Sequence, residues 1–415
     1  MQKEKLVPAI RFKGFDEEWE EYKISELSTY KNGESYEAFF VNNGKYNVIN
    51  LNSITIGGGL KNSNKFVDIC ISSPLKKDDV VICLSDVAHG TLLGAAALIP
   101  FDNKFVLNQR VGLLRIKSDI SPLFFVQSIN NKQPYFKYHG AGSSQLNISK
   151  KCVEDCTITV PSIVEQHKIG KFMSTLNSLI HSQELKLEKL QSMKQSLLDK
   201  MFPLYDQKIP EIRFKGFDEP WSRTNLQRIS FLRGRIGFRG YKKTDFVDKY
   251  KGAISLSPSD IDENGLVSFA NNSFISIDKY EESPEIKVKI GDILFTKTAS
   301  IGKIGYISYL PYLATINPQF ALISVFPDKA DSYFVYLCIS NKSFLLNVSK
   351  ITAGSSVLTM SQEKLKSIKF RTPNFKEQQK IGQFFSNLDS LIHSQELKLE
   401  KLNNIKQALL EKMFC

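Results

Sequence analysis

The chain has 415 residues, 42% of them hydrophobic, and a formal net charge of +12 at pH 7. This length favours two domains of about 150 residues over a single core, and the charge favours a polyanionic partner, nucleic acid ahead of a membrane, although a merely basic soluble protein fits equally well. The six cysteines are scattered and form no CxxC pair, which argues against a disulfide framework or a zinc site and favours reduced cysteines in the cytoplasm. The sequence shows no apolar signal core and no apolar run near ~20 residues, which argues against a membrane protein.

The first recognisable element is the stretch IRFKGFDE at Ile10–Glu17, which returns unchanged at Ile212–Glu219. A proline precedes each copy, and a tryptophan follows each copy, at Trp19 and Trp221. We call this stretch the RFKGF motif. The repetition of this motif predicts that the chain consists of two tandem copies of one unit. The regions that follow the two motifs differ in sequence, which suits two different targets.

Each RFKGF motif is followed by a long region of short apolar runs, which Gly, Pro, Asn and Ser interrupt. Residues 80–84 and 292–295 are two such runs. Short apolar runs between turn-forming residues are typical of strands joined by loops. We call the long region between each RFKGF motif and the following long helix a middle. The two middles are therefore predicted to be mixed α/β domains.

The clearest predicted elements are two long helices. The sequence SLIHSQELKLEKL occurs at Ser178–Leu190 and again at Ser390–Leu402, and both copies lie in stretches where apolar residues recur every three or four positions. Such a heptad seam predicts a coiled coil, and each helix could extend for ~40 residues, or ~60 Å. The seam and register positions are Ile169, Leu176, Gln183, Leu190, Leu197, Ile381, Leu388, Gln395, Leu402 and Leu409.

The nearest partner for each helix is the other helix of the same chain. If a pseudo-twofold axis relates the two copies, the helices run antiparallel and the globular domains lie at opposite ends of the coiled coil. Gln183 and Gln395 are polar seam positions of the kind that fixes register. Pro203 and Pro210 predict a hinge after the first helix. A solvent-facing amphipathic helix is the alternative.

Several duplicated motifs resemble one known family. A P-x-x-x-E-Q-x-x-I stretch opens each long helix, at Pro161–Ile169 and Pro373–Ile381. Two further pairs accompany it: Gly142-Ser-Ser with Gly354-Ser-Ser, and Leu107–Arg110 with Ile316–Gln319. In their order, duplication and spacing, these motifs and the RFKGF motif resemble the specificity (S) subunit of type I restriction–modification systems.

The resemblance implies an α+β fold with two target recognition domains, separated by two long helices that form an antiparallel coiled coil as a pseudo-twofold repeat. The expected boundaries are residues 1–161 for the first recognition domain, 162–209 for the central helical region and hinge, 210–373 for the second recognition domain, and 374–415 for the C-terminal helical region. The implied role is the non-catalytic choice of a split, asymmetric double-stranded DNA site. Two methyltransferase (M) subunits and two restriction (R) subunits are the implied partners. No cofactor is expected in this chain, whereas S-adenosylmethionine, ATP and Mg are expected in the partners.

Candidate DNA contacts are the basic and polar residues of the two middles. Residues 228–251 are rich in arginine and lysine, which can bind guanine edges and phosphates, whereas the matching stretch of the first copy is poor in both. Glycine- and serine-containing loops also recur in both copies and suit a close approach to phosphate. The candidates are Lys31, Asn32, His89, Arg110, Ser143, Ser144, Gln145, Arg233, Arg235, Arg239, Lys242, Lys243, Lys297, Lys303, Ser355 and Ser356. A solvated basic face and ordinary turns are the alternatives.

No complete catalytic or metal-binding set is recognisable. Residues 317–320 (NPQF) differ by one residue from the NPP[FY] motif of amino-methyltransferases, and no glycine-rich cofactor loop accompanies them. Residues 260–271 begin like a calcium loop but end in Asn271 instead of glutamate. The rival hypothesis is a coiled-coil adaptor that binds proteins and does not read DNA sequence.

Overall fold

The computed structural model describes residues 6–55, 58–87, 91–117, 119–204, 207–234, 241–298, 301–352 and 359–414. The chain divides into two compact units: unit 1 comprises residues 1–186 with 395–415, and unit 2 comprises residues 187–394. Each unit therefore combines one globular middle with part of each long helix.

Unit 1 is built around a four-stranded antiparallel sheet of order β2-β9-β5-β7, with a smaller sheet of order β4-β3-β8 and a two-stranded β6–β10 ribbon. All four residues of β5 are buried, as a central strand of apolar residues should be. The strands are β1 Glu20–Lys23, β2 Ser28–Asn32, β3 Tyr46–Ile49, β4 Phe66–Val67, β5 Val80–Cys83, β6 Ser85–Val87, β7 Ala96–Leu98, β8 Phe105–Leu107, β9 Val111–Ile116, β10 Gln145–Asn147 and β11 Thr157–Val160. The helices are α1 Ile24–Leu27, α2 Pro122–Asn131, α3 Gln133–His139, α4 Lys150–Asp155 and α5 Ile163–Met201.

Unit 2 repeats this plan with a sheet of order β13-β20-β17-β18 and a second sheet of order β14-β16-β15-β19. The strands are β12 Ser222–Asn225, β13 Ser230–Arg233, β14 Phe246–Val247, β15 Ala253–Leu256, β16 Ser273–Ile275, β17 Ile293–Thr296, β18 Ile304–Tyr306, β19 Ala314–Ile316, β20 Phe320–Val325 and β21 Lys369–Thr372. The helices are α6 Leu226–Ile229, α7 Ile277–Glu281, α8 Ser332–Ser340, α9 Lys342–Thr352, α10 Gln362–Ser367 and α11 Phe375–Met413. The prediction of two mixed α/β domains is confirmed.

A two-stranded antiparallel ribbon closes each globular middle where it joins the rest of the chain. In unit 1, β1 pairs with β11, and Glu20 lies opposite Val160. In unit 2, β12 pairs with β21, and Ser222 lies opposite Thr372. We call each ribbon a neck. Because both ends of a middle pass through its neck side by side, each middle is an insertion that can vary while its attachment stays constant.

A buried ion pair joins each RFKGF motif to the start of a long helix. The Nε and Nη2 groups of Arg11 donate to the two carboxylate oxygens of Glu165, both at 2.8 Å. Arg213 makes the same fork with Glu377 at 2.7 Å. Both glutamate side chains are fully buried, and the hydrogen bond to Glu377 raises the pKa of Arg213. The glutamates of the two PxxxEQ motifs are thus internal partners of arginines that lie 154 and 164 residues away.

The glutamine beside each of these glutamates fastens the chain at the same joint. Gln166 donates to the carbonyl of its motif's own proline at 2.9 Å and accepts the N–H of Ser121 at 2.9 Å. Gln378 makes the equivalent bonds, at 3.0 Å to its proline and 3.2 Å from the N–H of Asp331. The PxxxEQ motif therefore holds the start of α2 or α8 against the start of a long helix.

The tryptophan after each RFKGF motif is buried against the phenylalanine that follows a long helix. The ring centroids of Trp221 and Phe202 are 5.8 Å apart, and those of Trp19 and Phe414 are 6.3 Å apart. Phe202 follows α5 within unit 2, and Phe414 follows α11 within unit 1. The last described residue of the chain thus completes the core of the first unit.

Within unit 1 the first part of α5 and the last part of α11 run antiparallel. The Nε2 of Gln395 donates to the Oε1 of Gln183 at 2.6 Å. Nearer the start of α5, Ile169 and Met173 share a hydrophobic cluster with Met413, near the end of α11. The residue numbers therefore rise along one helix as they fall along the other, and the two seam glutamines face each other.

Unit 2 shows the same antiparallel arrangement in the remaining parts of the helices. The Nζ of Lys194 lies 2.6 Å from a carboxylate oxygen of Asp389, and the rings of Phe202 and Phe385 lie further along, with centroids 6.3 Å apart. The seam leucines of α5 pack on the core cluster to which the seam residues of α11 belong. The predicted antiparallel coiled coil is confirmed.

Lys406 interrupts the seam in unit 1, and none of the described carboxylates forms with it the ion pair that its counterpart Lys194 makes with Asp389. The repeat places Asn177 where unit 2 has Asp389, and the buried Oδ1 of Asn177 has no hydrogen-bond partner among the described residues. Burial lowers the pKa of Lys406, and the charge of Glu184 only partly opposes this effect. The half-buried ammonium of Lys406 is therefore a destabilising feature of unit 1.

We expect Lys406→Met to raise the free energy of unfolding of unit 1 by about 1 kcal/mol near pH 7. A lysine whose folded-state pKa is lowered binds fewer protons than it does in the unfolded chain, so stability rises with pH towards the ordinary lysine pKa of 10.5. The variant should lose that rise. Urea unfolding at pH 7 and pH 10, followed by Trp19 fluorescence in a Trp221→Phe background, measures both effects. Lys194→Met is the matched control in unit 2, followed by Trp221 fluorescence in a Trp19→Phe background. It should destabilise unit 2, because it leaves Asp389 without its cation; equal effects of the two substitutions would contradict this assignment.

Candidate nucleic-acid interface

One end of the four-stranded sheet in unit 1 gathers several of the predicted contact residues. Asn32, at the end of β2, pairs with Gly112 in β9, and the end of β5 pairs with the first residue of β9. These strand ends therefore lie side by side, and we call this edge of the sheet the loop end. Lys31 and Asn32 are exposed there, and Arg110 is exposed in the turn immediately before β9.

The β6–β10 ribbon adjoins the loop end of unit 1. The N–H of Leu84 donates to the carbonyl of Arg110 at 3.1 Å, and the N–H of Ile148 donates to the carbonyl of Leu84 at 2.8 Å. An exposed bend and the first residue of β10 carry three predicted polar residues: Ser143, Ser144 and Gln145. The structure thus brings predicted residues from three separate sequence stretches to one end of the sheet. His89 lies outside the described residues.

A small polar network at this end was not predicted as a contact. The buried Asn108 accepts the N–H of Gln109 at 2.8 Å and donates from Nδ2 to Glu37 at 3.1 Å. Hydrogen bonds from Ser35 and Asn108 lower the pKa of Glu37, so its carboxylate is ionised at neutral pH. Carboxylate and amide groups can read the amino groups of cytosine and adenine. In the sequence, the one signal for this network was the Leu107–Arg110 motif, which contains Asn108 and Gln109 and pairs only loosely with Ile316–Gln319.

In unit 2 the ends of β13 and β17 lie beside the start of β20 and form the equivalent loop end. This loop end presents a lysine in a confined position. The N–H of Lys297, just after β17, donates to the carbonyl of Gln319 at 2.7 Å. A Cβ atom on Gly234 would lie 3.1 Å from the Nζ of Lys297, so glycine leaves room for the ammonium. Lys297 is half-buried, and burial lowers its pKa without any contribution from a carboxylate. An anion such as a phosphate would stabilise its charged form.

The same backbone position carries different side chains in the two units. The carbonyl of Lys297 accepts the N–H of Met360 at 2.8 Å, just as the carbonyl of Leu84 accepts that of Ile148. Leu84 is buried, whereas Lys297 carries a charge at the equivalent place. Lys31 and Arg233 form a second equivalent pair, because they lie opposite Leu113 and Leu322 in matching strands. The two loop ends thus share a backbone frame and differ in chemistry.

Arg233, a predicted contact, is engaged inside its own domain. Its Nη2 donates to the hydroxyl of Ser324, which in turn donates to the buried Asp292 at 2.5 Å. Burial raises the pKa of Asp292, and the hydrogen bond from Ser324 and the charge of Arg233 oppose that effect. In unit 1 the equivalent Asp79 is paired directly with Arg115, at 2.6 and 2.7 Å. Arg233 therefore acts as the cation for a buried carboxylate.

The remaining candidates of unit 2 are distributed differently. The Nζ of Lys303 donates to the carbonyl of Pro258 at 3.0 Å, which restrains that side chain. Lys242 and Lys243 are exposed and precede β14, which pairs through β16 with the beginning of β15. Four candidates lie outside the described residues: Arg235, Arg239, Ser355 and Ser356. Among the described cations of unit 2, Lys297 has the clearest place at the loop end.

The described residues give no sign of metal or membrane chemistry. They contain no group of three or more His, Cys, Asp or Glu side chains arranged to hold a metal ion. In that part of the chain, no helix combines the length and the apolar character needed to cross a bilayer.

Comparisons with known proteins agree with this architecture. The family model described as the type I restriction modification DNA specificity domain matches the chain twice, at residues 16–192 and 238–404. The chain is 21% identical over 356 residues to the MjaVIII type I restriction enzyme specificity subunit of Methanocaldococcus jannaschii, covering 84% of this chain and 81% of that protein. It is 23% identical over 339 residues to the EcoBI specificity subunit of Escherichia coli, covering 74% and 68%.

A solved structure supports the fold independently. The crystal structure of the type I restriction–modification S subunit from M. genitalium superimposes with a TM-score of 0.68 over 99% of each chain, at 16% sequence identity. The two family-model matches together cover most of the chain and contain the first middle, most of the second middle and the greater part of both long helices. The chain therefore belongs to the type I restriction modification DNA specificity family and is a specificity subunit that recognises DNA.

Proposed function

We propose that this chain reads a bipartite, asymmetric DNA sequence, one half with each globular middle, and docks two M and two R subunits through its helical region. The observation that carries the proposal is the pair of loop ends, which share one frame and differ in side chains. Unit 1 places Arg110 and Leu84 at positions of this frame where unit 2 has Gln319 and Lys297, and this difference suits two unlike half-sites.

The division of labour follows from the absence of a catalytic set in the sequence. The chain acts as the non-catalytic subunit, and the partner subunits supply S-adenosylmethionine, ATP and Mg. The helices of 39 residues span ~58 Å each, a suitable scale for half-sites that recur on one face of the duplex every ~34–36 Å. The rival hypothesis of a protein-binding adaptor without sequence reading gains no support from the family match.

The test is an exchange of one middle. Because Glu20 and Val160 face each other in the neck, residues 20–160 can be exchanged there for another recognition domain of the same fold, whose counterparts of Ser121 and Phe124 then supply the contacts with the helices. Mapping of methylated adenines in a host that carries the chimaera and the M subunit should show one half-site changed and the other retained. If both half-sites stay as they were, the proposal is wrong.

Lys297→Leu introduces the residue that unit 1 carries at the equivalent position. We expect weaker binding to the recognised duplex and a slope of log K against log salt that is smaller by about 0.9, which corresponds to one lost phosphate contact. Fluorescence anisotropy between 50 and 200 mM salt measures this slope in the assembled complex. Lys303→Met is the control: its ammonium is bonded to Pro258, so the salt slope should not change. An unchanged slope for Lys297→Leu would remove Lys297 from the interface.

A further inference from the structure

Unit 2 contains a pocket of about 100 Å³ beside its neck, next to the residues that follow α5. Its floor is apolar and includes the buried Phe202, Cys338 and Phe344. The strand β12 leads through α6 into the beginning of β13, whereas the loop end lies at the other end of β13. The pocket is therefore separate from the surface proposed to read DNA.

Three cations surround this pocket on one face of the neck. Arg223 lies directly opposite Arg371 in the antiparallel ribbon, and Lys369 is two residues from Arg371 on the same face. Like charges opposite each other in a ribbon are destabilising. Among the described residues no carboxylate lies within ion-pair distance of any of the three, and the buried Nε of Arg371 has no hydrogen-bond partner there. In the described part of unit 2, therefore, no carboxylate neutralises this cluster.

The neck of unit 1 shows that the fold does not require these cations. By strand register, Arg223, Lys369 and Arg371 correspond to Glu21, Thr157 and Thr159. The first neck forms the same ribbon without a positive cluster. The cations are thus a property of unit 2 that its architecture does not explain.

The shape of the pocket selects the chemistry of a ligand. An engineered cavity of about 150 Å³ holds benzene, so a pocket of about 100 Å³ suits an aliphatic side chain better than a nucleobase. Duplex DNA presents its phosphates on a convex surface, which does not fill a recessed apolar floor. Arginine binds carboxylates through two parallel hydrogen bonds. An aliphatic residue flanked by carboxylates matches both the floor and the rim.

We propose that this pocket is a docking site for an acidic segment of a partner protein that inserts an aliphatic side chain between Phe202 and Phe344, while Arg223, Lys369 and Arg371 bind its carboxylates. The chain works within a multi-subunit complex, so the other subunits of that complex could supply such an acidic segment. The first neck does not offer the same charges, and a partner that docks in this way therefore distinguishes unit 2 from unit 1.

The test uses the full chain and a fluorescein-labelled peptide, Asp-Glu-Leu-Asp-Glu, in fluorescence anisotropy. Arg223→Glu/Lys369→Thr/Arg371→Thr, which transplants the residues of the first neck, should weaken binding at least tenfold. Arg223→Glu alone, at an exposed position, should weaken binding at least threefold without lowering the stability of unit 2, because it places a carboxylate opposite Arg371 where two like charges now face each other. Replacing the peptide's leucine with serine should weaken binding about tenfold, since the apolar contact is lost.

Two control measurements test whether the site binds basic peptides or DNA instead of acidic peptides. A Lys-Lys-Leu-Lys-Lys peptide should not bind, and a duplex of unrelated sequence should not displace the acidic peptide. Binding of the acidic peptide that the triple substitution leaves intact would overturn the proposal. Failure of the acidic peptide to bind would also overturn it, whether or not the same substitution weakens duplex binding. None of these outcomes depends on the recognised DNA sequence, so the proposal can fail while DNA reading by the loop ends stands.

Discussion

Glu165→Ala is expected to lower the free energy of unfolding of unit 1 by about 3–5 kcal/mol, because it leaves the guanidinium of Arg11 buried without a counter-charge. The carboxylate is fully buried and accepts two hydrogen bonds from Arg11 at 2.8 Å. The chain has only two tryptophans, and Trp19 and Trp221 lie in different units. Denaturant unfolding followed by fluorescence in a Trp221→Phe background therefore measures unit 1 alone.

Two controls separate the lost ion pair from a general loss of packing. The double substitution Arg11→Met/Glu165→Leu removes both charges and should recover most of the lost stability, since well-packed apolar replacements of buried ion pairs are often neutral. Glu377→Ala should have the same effect on unit 2, monitored by Trp221 in a Trp19→Phe background. If the double substitution is as unstable as Glu165→Ala, the loss of stability does not come from leaving the Arg11 charge unpaired.

The sequence was sufficient to predict the long helices and their pairing, because their information is local and repeated. Seam residues such as Ile169 and Leu388 recur at heptad spacing, and heptad spacing requires a partner helix. The meaning of the PxxxEQ motif could not be predicted in the same way. Glu165 acquires its role from Arg11, 154 residues away, and no local pattern indicates a contact over that distance.

The candidate interface was predicted less completely, for a related reason. Arg233 and Lys297 are both half-buried basic residues in loop-rich sequence. The fold bonds Arg233 through Ser324 to the buried Asp292, whereas no carboxylate contributes to the lowered pKa of Lys297. Which of them is available to DNA depends on strand register. The equivalence of Lys297 with Leu84 also becomes visible only when the hydrogen bonds of the two units are compared, because the surrounding sequences differ.

Lengthening both helices by one heptad is expected to enlarge the spacer of the recognised DNA site while both half-sites stay the same. Seven residues add ~10.5 Å at 1.5 Å per residue, or ~3 base pairs at 3.4 Å each. The insertions belong after Lys186 and after Ser394, where the two compact units meet in sequence, because the contacts Gln183–Gln395 and Lys194–Asp389 then remain inside their own units. A whole heptad keeps the apolar seam on one face.

Insertion into α5 alone is the control that tests the antiparallel pairing. The contacts Gln183–Gln395 and Lys194–Asp389 join α5 to α11 on either side of the insertion point. Lengthening α5 alone makes the two helices unequal between these contacts, so we expect a loss of stability instead of a longer spacer. Methylation-site mapping reads the spacer directly, and unfolding of the purified chain reads the stability. An active, doubly lengthened protein with the original spacer would mean that the helices do not set the distance between the half-sites. A single insertion that lengthens the spacer without loss of stability would mean that one helix is sufficient to set it.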